Sequence, residues 1–210
     1  MAVLHAPKTL ALQVDKLVCL GKQYAEHATE LGDAPVEKPV IFNKPGSVAV
    51  VVPSQGDTIA VALPADRGVV HHEIEIVLRL RGGAIEAVTL GLDLTLRDVQ
   101  TKLKKNGHAW EIGKVFPGSA VVGPWIAATD FPDYLQQEFR LEVDGTEKQR
   151  GRGRDMMMQP EESLRYIQQH FPLVDNDLVF TGTPAGVGPL LAGQLATLSW
   201  GDRLQYSVQF

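Results

Sequence analysis

Three carboxylates carry the clearest chemistry in this chain. Glu73 and Glu75 lie within Val69-Val70-His71-His72-Glu73-Ile74-Glu75-Ile76-Val77-Leu78-Arg79-Leu80. Ile74, Ile76, Leu78 and Leu80 alternate with Glu73, Glu75 and Arg79. That period-two pattern predicts a strand with Ile74, Ile76 and Leu78 toward the core. Glu73 and Glu75 then share the opposite face. Two carboxylates so close repel each other unless a cation or a shared proton relieves them. An ordinary solvated sheet face accounts for the same residues. Asp93 ends a further apolar run in Gly91-Leu92-Asp93-Leu94-Thr95 and stands just before an expected helix. It either caps that helix or joins the two glutamates. In the second case three hard oxygen ligands converge, a set suited to Mg²⁺ or Mn²⁺ and poorly to zinc. Two carboxylates on one strand do not flank a sugar ring from opposite sides, so a glycosidase pair fits badly.

A second constellation is Tyr24-Ala25-Glu26-His27-Ala28-Thr29-Glu30. On a helix His27 and Glu30 face the same way. A carboxylate beside an imidazole orients it and raises its basicity, the arrangement of a general base acting on water. An exposed helical ion pair explains the spacing equally well. The run Thr181-Gly182-Thr183-Pro184-Ala185-Gly186-Val187-Gly188-Pro189 follows an apolar strand. Its hydroxyls and N–H groups can hold a carboxylate, or it is a plain turn. It has neither the Gly-Lys-Ser/Thr of a phosphate loop nor the helix that follows a dinucleotide fingerprint. His71, His72, His108 and His170 read as structural, with a supporting role beside the carboxylates open to His71 and His72.

Short strands and turns must position these groups. The chain of 210 residues has 20 glycines and 13 prolines spread along it, punctuation for many strands rather than a helical bundle. Expected strands are Lys16–Leu20, Val40–Asn43, Val48–Val52, Val69–Leu80, Glu86–Asp93, Ala120–Ile126, Phe139–Val143, Leu178–Thr181 and Arg203–Val208. Asp144-Gly145 predicts a tight hairpin turn. Expected helices run Tyr24–Leu31, closed by Gly32; to Lys105 from a Thr95 cap, stopped by Asn106-Gly107; and from Pro160 to about His170. The fold class is α+β, strand-dominated and mostly antiparallel. The length allows one large domain or two small ones; residues 1–15 read as a lead-in and 16–210 as a single domain, catalytic if the resemblance given below holds.

Apolar residues make up 44% and charged residues 21%, enough for a core and against disorder. A net charge of −5 and a pI near 5.7 do not point to nucleic acid. Lys102, Lys104 and Lys105 read as a solvated helix face. No apolar run approaches the roughly 20 residues of a membrane span, and Met1–Lys8 shows no secretory pattern. The one cysteine, Cys19, excludes an internal disulfide and sits in an apolar strand. A soluble, cytoplasmic protein is expected.

In combination these segments resemble the fumarylacetoacetate hydrolase family, in its short acylpyruvase and 2-hydroxyhepta-2,4-diene-1,7-dioate isomerase type. The resemblance rests on Gly21-Lys22-Gln23-Tyr24-Ala25-Glu26-His27, Phe42-Asn43-Lys44-Pro45, His71-His72-Glu73-Ile74-Glu75, Leu92-Asp93-Leu94-Thr95-Leu96-Arg97-Asp98-Val99-Gln100, Gly113-Lys114 and Thr181–Gly188. It implies mixed sheets rolled around a metal site, usually in a homodimer. Apolar Met156–Met158 and Phe116 are candidates for the dimer contact, with the pocket wall as the alternative for the Met run. The resemblance implies that Glu73, Glu75 and Asp93 hold one Mg²⁺ or Mn²⁺ per chain. It gives Lys114 the substrate oxygens and makes His27 with Glu30 a water-activating pair. Lys22, Tyr24, Lys44, Gln100 and Thr183 complete the pocket. Lys22-Gln23 stands where many members carry Arg-Asn, Asn43 replaces a more usual apolar residue, and Asp155-Met156-Met157-Met158 is Met-rich. The implied activity is hydrolytic C–C cleavage of acylpyruvate-type 2,4-dioxo acids, the small-molecule substrates. Isomerisation, tautomerisation or decarboxylation of 2-oxo diacids such as oxaloacetate is the alternative. A non-catalytic metal- or ligand-binding β-domain is the rival from another class.

Overall fold

The computed structural model describes residues 14–25, 30 and 37–210. Glycine, proline and charged turns cut the apolar runs into short strands. The first half holds β1 (Lys16–Gly21), β2 (Val40–Pro45), β3 (Ala49–Val51), β4 (Thr58–Ala60), β5 (Val70–His72), β6 (Ile74–Arg81), β7 (Ala84–Asp93), β8 (Thr95–Leu96) and helix α1 (Arg97–Lys105). The second half holds β9 (Ala120–Val122), β10 (Ile126–Ala127), β11 (Glu138–Val143), β12 (Thr146–Arg152), helix α2 (Pro160–Gln168), β13 (Leu178–Phe180), β14 (Gly188–Pro189), β15 (Leu195–Trp200) and β16 (Leu204–Gln209).

The described strands form three sheets. The largest runs β2-β1-β13-β6-β7-β9-β3, with β10 beside β7. A second runs β12-β11-β15-β16-β4, and a third β14-β5-β8. Pairing is antiparallel except for β1–β13, β3–β9 and β16–β4. Strand-dominated α+β architecture is therefore what the alternating apolar pattern builds.

Both faces of the large sheet are dry. Val18 and Leu20 of β1 enter the main core with Ile74, Ile76 and Leu78 of β6. Leu17 and Cys19 point the other way, into a second cluster with Val77, Val122 and Phe180. Each such side chain stabilises the fold by roughly 1.5–3 kcal/mol. The face that carries Glu75 is thus not a solvated one, which removes that reading of the carboxylates.

Several boundaries differ from expectation. The run Val69–Leu80 breaks at Glu73, between β5 and β6. Val48 closes a 3-10 turn rather than opening a strand. Ala120–Ile126 is split between β9 and β10, at Gly123-Pro124. Thr95 does not cap α1, which starts after Leu96; its hydroxyl donates to Glu73 Oε1 at 3.1 Å and to the Asp93 carbonyl at 3.2 Å. β4, β8, β12, β14 and β15 lie outside the expected strands. The hairpin between β11 and β12 does turn on Asp144 and Gly145, both at positive φ. Pro160 opens α2, and Asn106 with Gly107 ends α1. The helix expected over Tyr24–Leu31 falls largely outside the described residues, though Ala25 and Glu30 are helical.

Phe116, Met156 and Met158 are buried within the chain, so they are not available to a dimer contact; of that Met run only Met157, 44% exposed, faces outward. Among the described residues no helix is long and apolar enough to cross a membrane.

Candidate active site

The β6–β7 register assembles the carboxylates. Ile74 pairs with Leu92 and Glu75 with Gly91, so Asp93 comes to stand across from Glu73. The Asp93 N–H donates to the Glu73 carbonyl at 2.9 Å. One oxygen from each of Glu73, Glu75 and Asp93 lies within 4.8 Å of the others. All three side chains are buried, with 5%, 2% and 1% of their surface exposed, respectively.

Among the described residues, Lys114, Lys44 and Arg97 meet this charge. Lys114 Nζ donates to Glu73 Oε2 at 2.7 Å and to Asp93 Oδ2 at 2.6 Å. Lys44 Nζ stands 2.5 Å from Asp93 Oδ1 and donates to the Ser119 and Leu94 carbonyls at 2.7 and 3.2 Å. Arg97 pairs with Glu73 Oε1 and donates to Gln100 Oε1 at 2.9 Å. Burial works against the Lys114 charge, but Asp93 and Glu73 outweigh it and hold the ammonium firmly protonated. Glu75 receives the Gly182 N–H at 2.7 Å. Burial, then the Asp93 and Glu73 charges, push its carboxyl well above the usual carboxylate range.

The donor set fits a divalent cation. Buried carboxylate oxygens are hard ligands, and Mg²⁺ binds such oxygens at about 2.0–2.1 Å and Ca²⁺ at about 2.3–2.6 Å. Ligand atoms on opposite sides of an ion then stand about 4–5 Å apart, the scale of this cluster. A cation there would also relieve the repulsion that raises Glu75. Glu73, Glu75 and Asp93 would be its protein ligands.

A cavity of about 220 Å³ opens above the carboxylates. It is smaller than the roughly 300–1,000 Å³ of drug-sized sites and suits a short-chain acid. Lys22, Gln100, Lys114 and Thr183 line it. Lys22 adopts φ +64°, a left-handed conformation that non-glycine residues rarely take. Lys44 lies behind Asp93 rather than on the wall. Tyr24 packs into the main core and donates its hydroxyl to the Arg152 carbonyl at 3.3 Å. Glu30 is exposed, and both its oxygens accept the Gly186 N–H, at 3.1 and 3.2 Å. His27 lies outside the described residues.

The loop 181–189 therefore does bind carboxylates, but the chain's own. His72 contacts Gln149 through Nδ1, and burial lowers its pKa.

Arg97, Phe42 and Trp110, to which the sequence gives no role, line the cavity, and so does Lys104, which the charge run reads as part of a solvated helix face. They form a wall of alternating character. Lys114 Nζ lies 5.0 Å from the centre of the Phe42 ring, which meets Trp110 edge-on at 5.1 Å. Lys104 Nζ sits 5.4 Å from the Trp110 ring centre. The helical spacing of Gln100 and Lys104 was the available signal, since residues four apart share a face.

The sequence profile described as fumarylacetoacetate (FAA) hydrolase C-terminal matches residues 16–210. An oxaloacetate tautomerase of Escherichia coli K12 is 37% identical over 200 residues, 89% of each chain. The crystal structure of fumarylpyruvate hydrolase from Pseudomonas aeruginosa in complex with Mn²⁺ and pyruvate is similar with TM-score 0.85 and 32% identity, covering 93% of this chain and 89% of that one. That of 5-carboxymethyl-2-hydroxymuconate delta-isomerase from Mycobacterium smegmatis gives TM-score 0.75 and 30% identity, over 93% and 78%. These relatives are enzymes, and one is a divalent-metal complex. With its profile matched over residues 16–210, the chain belongs to the fumarylacetoacetate hydrolase family.

Proposed function

We propose that this chain is a divalent-metal-dependent enzyme that enolises 2-oxo diacids, with keto–enol tautomerisation of oxaloacetate as its main reaction. The convergence of Glu73, Glu75 and Asp93 beside a buried, charged Lys114 in a cavity of short-acid size carries the reading. Similarity to the Escherichia coli tautomerase supports the substrate, and the Mn²⁺ and pyruvate of the Pseudomonas structure support Mg²⁺ or Mn²⁺ and a 2-oxo acid.

A cation held by the three carboxylates supplies Lewis acidity toward a 2-oxo acid. Lys114, itself buried, places a fixed positive charge where the enolate oxygen develops negative charge. Phe42 and Trp110 keep water from one wall. Lys22 and Lys104 add positive charge to the lining, where a second carboxylate of the substrate would end.

Hydrolysis of acylpyruvates is the second reading, favoured by the docking of Glu30 on the Gly186 N–H. There Glu30 would orient His27, His27 would take a proton from water, and hydroxide would attack the distal carbonyl. Cleavage of the C–C bond then leaves the electron pair on pyruvate as its enolate. The same family reading extends to a homodimer, which light scattering at micromolar concentration checks; a monomer mass overturns it.

The deciding experiment follows oxaloacetate enol decay and acetylpyruvate cleavage with Mg²⁺, Mn²⁺ or chelator. Metal-dependent tautomerisation faster than cleavage is expected. Faster cleavage selects the hydrolytic reading, and no turnover of either acid with either metal overturns both.

A further inference from the structure

β12 is an edge strand of the second sheet, and Thr146, Glu147, Lys148 and Arg150 are exposed along it. Gln149, between Lys148 and Arg150, is buried. A bulge turns it inward: Leu141 of β11 faces Gln149, whereas the next residue, Glu142, faces Glu147, so Lys148 is the extra residue. Bulges re-aim side chains in this way, often beside functional sites.

The buried amide uses all four of its hydrogen-bonding positions. Gln149 Oε1 accepts the Ile74 N–H at 3.1 Å and contacts His72 Nδ1 at 2.9 Å. Its Nε2 donates to Thr183 Oγ1 at 2.8 Å and to the Pro184 carbonyl at 3.0 Å. A flipped amide would set N–H against N–H at Ile74 and oxygen against oxygen at Pro184, so the network itself fixes the orientation. With Oε1 only an acceptor, His72 must carry its proton on Nδ1.

These partners surround the Glu73-Ile74-Glu75 segment. The chain leaves regular strand at Glu73, and the Ile74 N–H and C=O are both held by side chains. Gln149 takes its N–H, and the Thr183 hydroxyl donates to its carbonyl at 2.8 Å. The Thr183–Pro184 turn that Gln149 grips follows Gly182, whose N–H holds Glu75 Oε2. The same loop presses against the bulge: a Cβ on Gly186 would meet the Lys148 carbonyl oxygen at 2.1 Å.

We propose that Gln149 is a positioning residue for the divalent-cation site. It fixes the Ile74 peptide and the Thr183–Pro184 turn together, and through them the spacing and direction of the Glu73 and Glu75 carboxylates. The inference rests on the metal-site reading above and adds to it a residue more than 50 positions away in sequence, on another sheet. Groups that orient metal ligands commonly carry about 10–100-fold of the affinity.

The test titrates the metal-free full chain with Mn²⁺ by calorimetry and by the electron paramagnetic resonance of the ion. Gln149→Met keeps length and removes all four contacts. Thr183→Val removes the hydroxyl that links Gln149 to Ile74. Each should weaken Mn²⁺ binding, by about 10-fold or more for Gln149→Met, and change the spectrum of the bound ion. The double variant should lose less than the two single losses combined, because both act through the Ile74 peptide. Arg150→Ala, on the same strand but exposed, should bind Mn²⁺ as wild type does. If Gln149→Met does not fold, Thr183→Val decides alone. Mn²⁺ affinity within about twofold of wild type in the folded variants, with an unchanged spectrum, overturns the positioning role even if the melting temperature falls. Wild-type protein that binds no Mn²⁺ overturns the metal reading and this inference with it.

Discussion

Asp93 stands directly across the β6–β7 ladder from Glu73, its N–H donating to the Glu73 carbonyl at 2.9 Å. This backbone contact brings together carboxylates twenty residues apart and leaves Glu75 to complete the trio. Lys114 and Lys44 pair with Asp93, and Lys114 and Arg97 with Glu73. Glu75 has the Gly182 N–H and a raised pKa.

Glu75→Gln should therefore separate metal binding from folding. The amide keeps the shape and removes a charge that burial already disfavours. Melting of the metal-free variant should match or exceed wild type, while the stabilisation by Mn²⁺ and the metal-dependent activities are lost together. Unchanged Mn²⁺ affinity by calorimetry would remove Glu75 from the ligand set.

The pH dependence has a defined sign. The Glu75 carboxyl is raised in the folded, metal-free chain. Its contribution to stability is complete below its unfolded pKa and is lost as pH rises through the folded value. A cation competes with that proton, so the rise in melting temperature on adding Mn²⁺ should grow with pH over this window. A rise that is flat or shrinks with pH contradicts the assignment.

Lys114→Met leaves Glu73 Oε2 and Asp93 Oδ2 buried without their shared cation. Breaking such a pair costs about 3–5 kcal/mol, and Mn²⁺ should restore part of it. Loss of the charge beside the developing enolate should lower kcat by about 10²–10³. Melting curves with and without Mn²⁺, alongside turnover of oxaloacetate, test both. Wild-type kcat in the folded variant removes Lys114 from the chemistry.

Lys104 lines the cavity and lies over Trp110. Lys104→Gln should raise KM for oxaloacetate by about 10-fold, the effect of roughly 1.4 kcal/mol, with kcat little changed. Acetylpyruvate, with one carboxylate, should be nearly unaffected. Equal losses on both acids would mean that Lys104 acts on the wall, not on the second carboxylate.

His27→Ala distinguishes the reactions. Loss of a general base costs about 10²–10⁴-fold, so acylpyruvate hydrolysis should fall in that range. Oxaloacetate tautomerisation should fall much less, and Mn²⁺ affinity should hold. Hydrolysis that survives intact makes the base assignment wrong; collapse of Mn²⁺ binding would place His27 among the ligands.

Much of this was legible in the chain itself. Local alternation determined that Ile74, Ile76 and Leu78 face one way and Glu75 the other, because side chains in a strand alternate whatever lies around them. Asp-Gly determined a hairpin, and Pro160 a helix start, for equally local reasons. Asp93 was a candidate from its place at the end of an apolar run, with helix capping equally open, and Lys114 joined the site through resemblance alone.

Tertiary structure decided the rest. Alternation cannot say whether the second face of a strand meets water, and here Val77, Val122 and Phe180 keep it dry. That burial makes the three carboxylates costly without cations. Pairing register put Asp93 opposite Glu73, and register is a property of two strands rather than one. Gln149 sits among charged residues in an exposed strand, with no periodic signal of its own. Only the bulge at Lys148 and the Thr183 loop packed against it turn that amide toward Ile74. A polar side chain becomes a support only when distant segments bring its donors and acceptors within about 3 Å, and the order of residues along the chain does not encode that distance.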